Sequence, residues 1–161
     1  MPSREAENAA PDVRRASPGD APEVARLLHD FQGEFDEPSP GVETLTERYR
    51  ELIRKREMTV LMVGDGPDGF AQLRFRPTVY SAGRYAYLEE LYVIPSLRGQ
   101  GLGRALLEAA METARAEGAD HMELGTSETD TAARALYESA GFTNREGGPD
   151  GPVMFCYERE L

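Results

Sequence analysis

The stretch Leu88-Glu-Glu-Leu-Tyr-Val-Ile-Pro-Ser-Leu-Arg-Gly-Gln-Gly-Leu-Gly-Arg104 decides the fold of this chain. It begins as an apolar and aromatic run typical of a β-strand, turns at a Pro-Ser pair, and passes through three glycines into a helix. Glycine lets the backbone approach a ligand closely, and the unpaired N–H groups of a helix N-terminus attract an anion. The stretch therefore predicts either a phosphate-binding turn, with Arg98 and Arg104 placed to add charge-assisted hydrogen bonds, or a tight connection without a ligand.

Two motifs give this turn a more specific meaning. It lacks the Gly-Lys-Ser/Thr of a P-loop, and its glycines follow Arg98 as Gly99-x-Gly101-x-Gly103 rather than as a dinucleotide fingerprint. Arg-x-x-Gly-x-Gly at a strand-to-helix turn resembles the acetyl-CoA pyrophosphate loop of the GNAT superfamily of N-acetyltransferases. The segment Asp130-Thr-Ala-Ala-Arg-Ala-Leu-Tyr-Glu-Ser-Ala-Gly-Phe142 resembles the second signature of that family. The resemblance covers residues 13–161.

Length and composition limit the class of protein. The chain has 161 residues, of which 40% are hydrophobic and 29% charged, as in a soluble domain that buries a core. Its apolar runs are too short to span a bilayer and no secretory segment follows Met1, so we expect a cytoplasmic protein without a membrane partner. A net charge of −11 argues against binding to nucleic acid, and it fits either a cationic acceptor or solubility alone. One cysteine and two histidines predict no metal site.

The pattern along the chain predicts an α/β (α+β) fold with a mixed sheet and helices on both faces. Residues 1–11 are expected to form a disordered tail and residues 12–161 a single domain. Hydrophobic periodicity predicts helices after Asp20 and at about 42–55, 101–117 and 130–140. Strands are predicted at 12–16, 58–63, 70–76, 84–94, 121–125 and 152–159. The resemblance implies the GNAT fold, whose central sheet has six to seven strands.

The resemblance also implies a site for acetyl-CoA as co-substrate. Backbone N–H groups of the turn would bind the pyrophosphate, pantetheine would run beside Leu91 and Val93, and the Val93 N–H would polarise the thioester carbonyl. Asp130 stands where the family has asparagine; it lacks the amide donor but can accept a hydrogen bond from pantetheine and cap its helix. The residues implied to bind acetyl-CoA are Leu91, Tyr92, Val93, Arg98, Gly99, Gln100, Gly101, Leu102, Gly103, Arg104, Asp130 and Ala133.

Three residues are candidates for proton transfer. Tyr137 matches the tyrosine of the second signature, and a phenol can give its proton to the leaving thiolate; its place on an apolar helix stripe is equally that of a core tyrosine. Glu89 and Glu90 interrupt an apolar strand, where carboxylates are costly unless they are hydrogen-bonded or used. Strand alternation predicts that they face opposite sides of the sheet, so either could receive the proton of the ammonium group or bind that group. The resemblance favours Glu89.

The acceptor is expected near the segment that joins the first two helices, which lines the acceptor pocket in the resembling family. The residues predicted to contact the acceptor are Phe31, Glu34, Phe35 and Tyr80, with Asp36 and Glu37 as neighbouring acids. A solvated acidic loop is the alternative. We predict direct acetyl transfer from acetyl-CoA to the primary amine of a small cationic acceptor in a ternary complex. A protein N-terminus or lysine as acceptor, a non-catalytic acyl-CoA sensor and a structural domain without a ligand stay open. Family members commonly dimerise, and the last strand is the expected contact of a homodimer.

Overall fold

A computed structural model describes residues 10–161, so the predicted tail lies outside the described residues except for the exposed Ala10 and Pro11. The strands are β1 (Val13–Arg15), β2 (Thr59–Val63), β3 (Gly69–Pro77), β4 (Arg84–Val93) and β5 (Ala119–Leu124). The α-helices are α1 (Ala21–Glu34), α2 (Val42–Arg54), α3 (Leu102–Ala116) and α4 (Thr131–Ser139). The predicted elements up to residue 140 are present, with bounds that differ by a few residues.

The strands form one mixed sheet in the order β1-β2-β3-β4-β5. Strands β1 to β4 pair antiparallel with their sequence neighbours. After α3 the chain returns beside β4, and the Arg84 N–H at the start of β4 donates to the Gly118 carbonyl just before β5, at 3.1 Å. Since both strands start at the same edge, they run parallel, as a helical crossover requires.

Alternation along the strands gives the sheet two apolar faces. One face carries Val60, Met62 and Phe70, which pack under α1 and α2 together with Tyr92 of β4. The other face lies against α3, which contacts β2, β3 and β4. Burying each such side chain stabilises the fold by about 1.5–3 kcal/mol, so the packing of both helix layers stabilises the sheet that contains β4.

The chain divides into two compact units, the first ending at Glu123 and the second running from Leu124 to Leu161. In the second unit, Asp130 caps α4 because its Oδ1 accepts the Ala133 N–H at 3.0 Å. The helix ends at Ser139 with Ala140 as its C-cap, and Gly141 follows with a φ of 92°, which suits glycine. The single domain expected for residues 12–161 stays a prediction.

The predicted last strand at 152–159 is wrong. In the described residues this segment makes one isolated β-bridge, between Arg145 and Val153, and no ladder. Its apolar side chains stay in solvent, with Phe155 75% and Tyr157 90% exposed. A strand needs a neighbour to accept its backbone hydrogen bonds, which the residue pattern of the segment does not reveal. The sheet of residues 10–161 accordingly has five strands rather than six to seven.

Candidate functional site

A β-bulge in β4 shapes the candidate site. Gln72 of β3 lies opposite Glu90, whereas the next residue, Leu73, lies opposite Leu88, so Glu89 is an extra residue without a partner. The bulge interrupts the alternation of side chains along β4. Glu89 Oε1 lies 2.8 Å from Nε of Arg74, which is on the same face of β3 as Gln72. Both glutamates therefore lie on the α1–α2 face, and the expectation of opposite faces, which assumed a continuous ladder, is wrong.

Glu90 has the ionisation behaviour of a general base. Its carboxyl group is half-buried, and burial raises its pKa to about 7, with the charges of Glu37 and Glu89 adding to the effect. A base works best when its pKa lies near the working pH, because it is then largely ionised and still binds a proton well. Glu89 instead forms an ion pair with Arg74. The raised pKa of Glu90 and the ion pair of Glu89 favour Glu90 as the base, whereas the resemblance favoured Glu89.

A buried hydrogen-bonded pair that the sequence analysis missed lies beside Glu90. The Tyr49 hydroxyl of α2 donates to Gln72 Oε1 of β3 at 2.6 Å. Tyr49 is 3% and Gln72 6% exposed. Burial and the nearby charges of Glu90 and Glu89 raise the pKa of Tyr49, so the phenol stays protonated and acts as a donor. In the sequence, the feature that could have indicated this pair is Gln72, a polar residue within the apolar part of β3.

Aromatic side chains gather where β4 ends. Phe31 of α1 stacks on Tyr92 of β4 with ring centroids 4.9 Å apart. Phe35 meets Phe31 edge-on at 5.3 Å. Tyr92 is buried, whereas Phe35 is half exposed. The structure thus brings Phe31, a predicted acceptor residue, into contact with Tyr92, a residue predicted to bind acetyl-CoA, and it leaves the ring of Phe35 accessible.

Arg98 joins α1 to the end of β4. Its guanidinium lies 2.6 and 2.7 Å from the two carboxylate oxygens of Glu34, and its Nε donates to the Val93 carbonyl at 3.0 Å. It also lies over the Tyr92 ring, 5.6 Å from the centroid. Arg98 lowers the pKa of Glu34. Because Glu34 engages the guanidinium, attraction of an anion to this turn depends mainly on backbone N–H groups.

The turn itself is open to a ligand. Gly99 and Gly101 have φ values of 77° and 85°, and an added Cβ at either would meet no atom within 4 Å. Gly101 is the N-cap of α3, no side chain caps this helix, and its first turn holds no acidic residue. Helix first-turn N–H groups have no intrahelical acceptor, so they point out of the turn as donors. The residues present fit a bound pyrophosphate.

A concave region of about 910 Å³ lies at the other end of β4, near Arg84. Three of its four lining arginines face carboxylates: Arg15 and Arg84 share Glu117 at 3.0 and 4.0 Å, and Arg74 pairs with Glu89. We therefore place the candidate site at the carboxyl end of β4. Within residues 10–161, no group of three His, Cys, Asp or Glu side chains could hold a metal ion, and no helix is long and apolar enough to cross a membrane.

Comparison with known proteins assigns the family. Residues 23–142 match the model of the acetyltransferase (GNAT) family. The chain belongs to the GNAT family. An aminoglycoside N(6')-acetyltransferase type 1 from Klebsiella aerogenes is 38% identical over 96 residues, which span 58% of this chain and 63% of that relative. A protein of the same name from Stenotrophomonas maltophilia is 30% identical over 141 residues, 85% of this chain and 89% of the relative.

A solved structure confirms the GNAT fold. The chain superposes on a candidate acetyltransferase from Arthrobacter sp. FB24 with a TM-score of 0.85 and 44% identity, covering 96% of this chain and 97% of that chain. The resemblance drawn from the two motifs is thus confirmed, and so is the class of enzyme, an acetyltransferase. The GNAT family uses acetyl-CoA as co-substrate.

The other predicted site residues of this GNAT chain belong to the turn between β3 and β4 and to the second unit. Tyr80 is 83% exposed in the turn between β3 and β4, at the opposite end of that hairpin from Val93. Tyr137 belongs to the second unit; it is 9% exposed, and its ring meets Phe142 edge-on at 6.1 Å. Asp130 is confirmed as a helix cap, because its Oδ1 accepts a hydrogen bond from the Ala133 N–H. The roles of Asp130 and Ala133 toward pantetheine stay predictions.

Proposed function

We propose that this protein transfers an acetyl group from acetyl-CoA to the primary amine of a small cationic acceptor, by direct attack in a ternary complex. The half-buried Glu90 carboxyl group carries the proposal, because its pKa of about 7 lets it accept the proton of an ammonium group at neutral pH. Glu37 and Glu89 lie close enough to raise that pKa, so the same region attracts a cation.

In the proposed reaction Glu90 and Tyr137 each transfer one proton, and Val93 donates a hydrogen bond. Glu90, directly or through a water molecule, takes the proton that the amine must lose before it can attack. The Val93 N–H donates a hydrogen bond to the thioester carbonyl oxygen and so stabilises the negative charge that develops there. Tyr137 gives its phenolic proton to the departing thiolate, so that an amide and free CoA are released.

Acetyl-CoA, when bound, supplies the acetyl thioester. We assign its pyrophosphate to the backbone N–H groups of the turn from Arg98 to Arg104, on the open space at Gly99 and Gly101. Pantetheine is assigned to the edge of β4 at Leu91 and Val93. In this assignment the Arg98 side chain binds Glu34 and has a structural role. The sequence had instead predicted a charge-assisted contact between Arg98 and the phosphate.

The acceptor is assigned to the α1–α2 face of β4. Phe31 and Phe35 offer an apolar wall, and Glu37 and Glu90 supply negative charge, whereas the charge of Glu34 is compensated by Arg98. Relatives named as aminoglycoside acetyltransferases support an amine of small-molecule type. The exposed position of Tyr80 gives no support to its predicted contact with the acceptor.

Oligomerisation and location are also proposals. The exposed apolar side chains of the last segment, among them Phe155 and Tyr157, support its use as the contact of a homodimer. A cytoplasmic location without nucleic-acid binding stays a prediction from composition and charge.

The first experiment measures thermal unfolding with and without acetyl-CoA. Ligand at 100 times its dissociation constant adds about 2.7 kcal/mol, which raises the midpoint by several degrees for a chain of this size. Primary amines are then screened by thiol release, with peptides carrying a free N-terminus or lysine as the competing class. The absence of any shift at millimolar acetyl-CoA refutes the donor site. Tyr137→Phe should lower kcat and leave the shift by acetyl-CoA intact; unchanged kcat removes Tyr137 from the mechanism.

A further inference from the structure

The concave region near the start of β4 has a lining of opposite charge to the chain as a whole. Four arginines and two glutamates line its volume of about 910 Å³, so the lining has a formal charge of +2, whereas the chain carries −11. We call this region the arginine cavity; its charged residues are Arg15, Arg56, Arg74, Arg84, Glu57 and Glu117. A concave surface concentrates the field of the charges that line it, so the cavity attracts anions.

Arg15 and Arg84 share one carboxylate in the arginine cavity. Their Nη1 atoms lie 3.0 and 4.0 Å from the carboxylate oxygens of Glu117. Arg15 Nη2 also donates to Oγ1 of the buried Thr59 at 3.0 Å. The guanidinium of Arg84 lies over the Phe75 ring, 5.9 Å from the centroid. Because one carboxylate balances only one of the two charges, a positive charge held in place by these contacts is left over, and both side chains are about half exposed.

Arg56 adds a guanidinium group to the lining from a strained backbone position. It follows the C-cap of α2 with a φ of 58°, in the left-handed region where a helix end usually has glycine. Its N–H donates to the Ile53 carbonyl at 3.0 Å, and the N–H of Glu57 donates to the Leu52 carbonyl at 3.0 Å, so the turn is fixed. Within residues 10–161, the Arg56 guanidinium forms no ion pair. Backbone strain of this kind clusters at sites that hold a ligand.

An apolar wall lies beside these charges. Ile53 near the end of α2, Met58 just before β2 and Phe75 of β3 line the same cavity. A guanidinium group presents a planar fork of N–H donors, which pairs with two oxygens of a carboxylate or phosphate group. Such forks beside an apolar wall fit a ligand that has an oxyanion at one end and an apolar body at the other.

We propose that the arginine cavity binds a small organic anion, whose carboxylate or phosphate group pairs with Arg56 and with the two guanidinium groups that share Glu117. The apolar body of the anion lies against Ile53, Met58 and Phe75. The bound anion supplies the negative charge that the shared carboxylate leaves lacking, and it gives Arg56 a partner.

The arginine cavity is separate from the site proposed for acetyl transfer. Arg84 begins β4 and Val93 ends it, and a strand of ten residues spans about 30 Å. Arg74 also lines the cavity, but its Nε lies 2.8 Å from Glu89 Oε1, so we assign it to that ion pair rather than to the ligand. Binding of an anion in the cavity therefore does not depend on whether the protein transfers an acetyl group.

The test is a titration of the full-length protein with benzoate and, separately, with phenyl phosphate, followed by ¹H–¹⁵N NMR at low ionic strength. We expect saturable binding of at least one probe at millimolar concentration, and weaker binding of acetate and inorganic phosphate, which lack the apolar body. Arg56→Gln should weaken binding roughly tenfold, because a charge-assisted pair is lost. Arg54→Gln is the matched control, since Arg54 is paired with Glu51 at 2.9 Å and lies outside the lining.

Arg56→Gly separates ligand binding from folding. Glycine adopts the φ of 58° without strain, so this variant should unfold about 2–4 °C higher and still bind the probe roughly tenfold more weakly. A loss of affinity in a more stable protein cannot come from unfolding.

Four results would overturn the proposal. Absence of saturable binding at millimolar probe would show that the arginines need no ligand. Equal affinity in Arg56→Gln and Arg54→Gln would show that Arg56 does not contact the anion. Displacement of the probe by acetyl-CoA would place it at the turn of Gly99 and Gly101 instead. Equal affinity for acetate and benzoate, together with equal affinity for the two phosphates, would exclude the contact with the apolar wall.

Discussion

Replacing Glu90 by glutamine should stabilise the protein, and the gain should depend on pH. The folded protein raises the pKa of Glu90 from its ordinary 4.5 to about 7, so the folded state holds the proton more tightly than the unfolded chain does. Between these two values the unfolded state binds fewer protons, and the free energy of unfolding falls as the pH rises. A difference of about 2.5 pH units corresponds to about 3.4 kcal/mol, which we reduce to about 2–3 kcal/mol because solvent reaches part of the side chain.

The expected gain in Glu90→Gln is therefore about 2–3 kcal/mol at pH 8 and under about 1 kcal/mol at pH 5, where the parent carboxyl is mostly protonated. For a chain of this size the midpoint of thermal unfolding should rise by roughly 5–10 °C at pH 8. Urea denaturation followed by circular dichroism at both pH values measures the gain. Glu47→Gln, on the exposed face of α2, controls for the loss of one negative charge.

Two results would refute this reasoning. Equal stabilisation at pH 5 and pH 8 would show that ionisation of Glu90 is not the cause of the gain. No stabilisation at either pH, with Glu47→Gln also neutral, would show that the folded protein solvates the Glu90 carboxylate as well as water does. Either result would also weaken Glu90 as the base of the proposed reaction.

Three further predictions concern stability. Arg98→Ala and Glu34→Gln should each cost about 1 kcal/mol, with a coupling energy near 1 kcal/mol in urea denaturation of the double variant. Arg98 lowers the pKa of Glu34, so this stabilisation is present at neutral pH and should be lost in acid, as the pH falls through the lowered pKa of Glu34. Purely additive costs would contradict the ion pair. Phe70→Ala, at a fully buried site, should cost about 3–5 kcal/mol by calorimetry, and a cost under 1 kcal/mol would contradict its central packing. Asp130→Ala should cost about 1 kcal/mol through its lost helix cap, whereas Asp130→Asn should restore most of it; equal losses in both would contradict capping.

The regular elements were predictable because their signals are local. The apolar period of α1 to α4 and the turn residues between strands place each element within a few residues of its observed bounds. The turn at Gly99 and Gly101 was predictable for the same reason, because its positive φ values are encoded by glycine. The strand predicted at 152–159 could not be judged from local signals. A strand forms only beside a pairing strand, and the residue pattern of the segment does not show whether a pairing strand is present.

The site was less predictable because its geometry depends on pairs of residues distant in sequence. The bulge at Glu89 follows from the register of β3 against β4, which cannot be read from β4 alone, and it moved one carboxylate to the other face. Arg98 and Glu34 are 64 positions apart, so their ion pair could not be predicted from a motif. The sequence predicted that Arg98 binds acetyl-CoA and that Glu34 binds the acceptor. Tyr49 and Gln72 are 23 positions apart, and their hydrogen bond needs both α2 and β3 in place.

The balance of charge on the α1–α2 face is consistent with the cationic acceptor proposed above. Glu89 and Glu90 stand side by side on a central strand, with Glu37 close enough to raise the pKa of Glu90, and Arg74 is paired with Glu89 alone. Even that pair is imperfect, since Glu89 Oε1 is buried without an aligned hydrogen bond. A fold that is stable by about 5–15 kcal/mol gains nothing from a carboxylate that costs about 2–3 kcal/mol, unless the carboxylate is used. An ammonium group bound beside Glu90 would offset the repulsion and favour ionisation of Glu90, so the feature that costs stability is also what would select and deprotonate an amine.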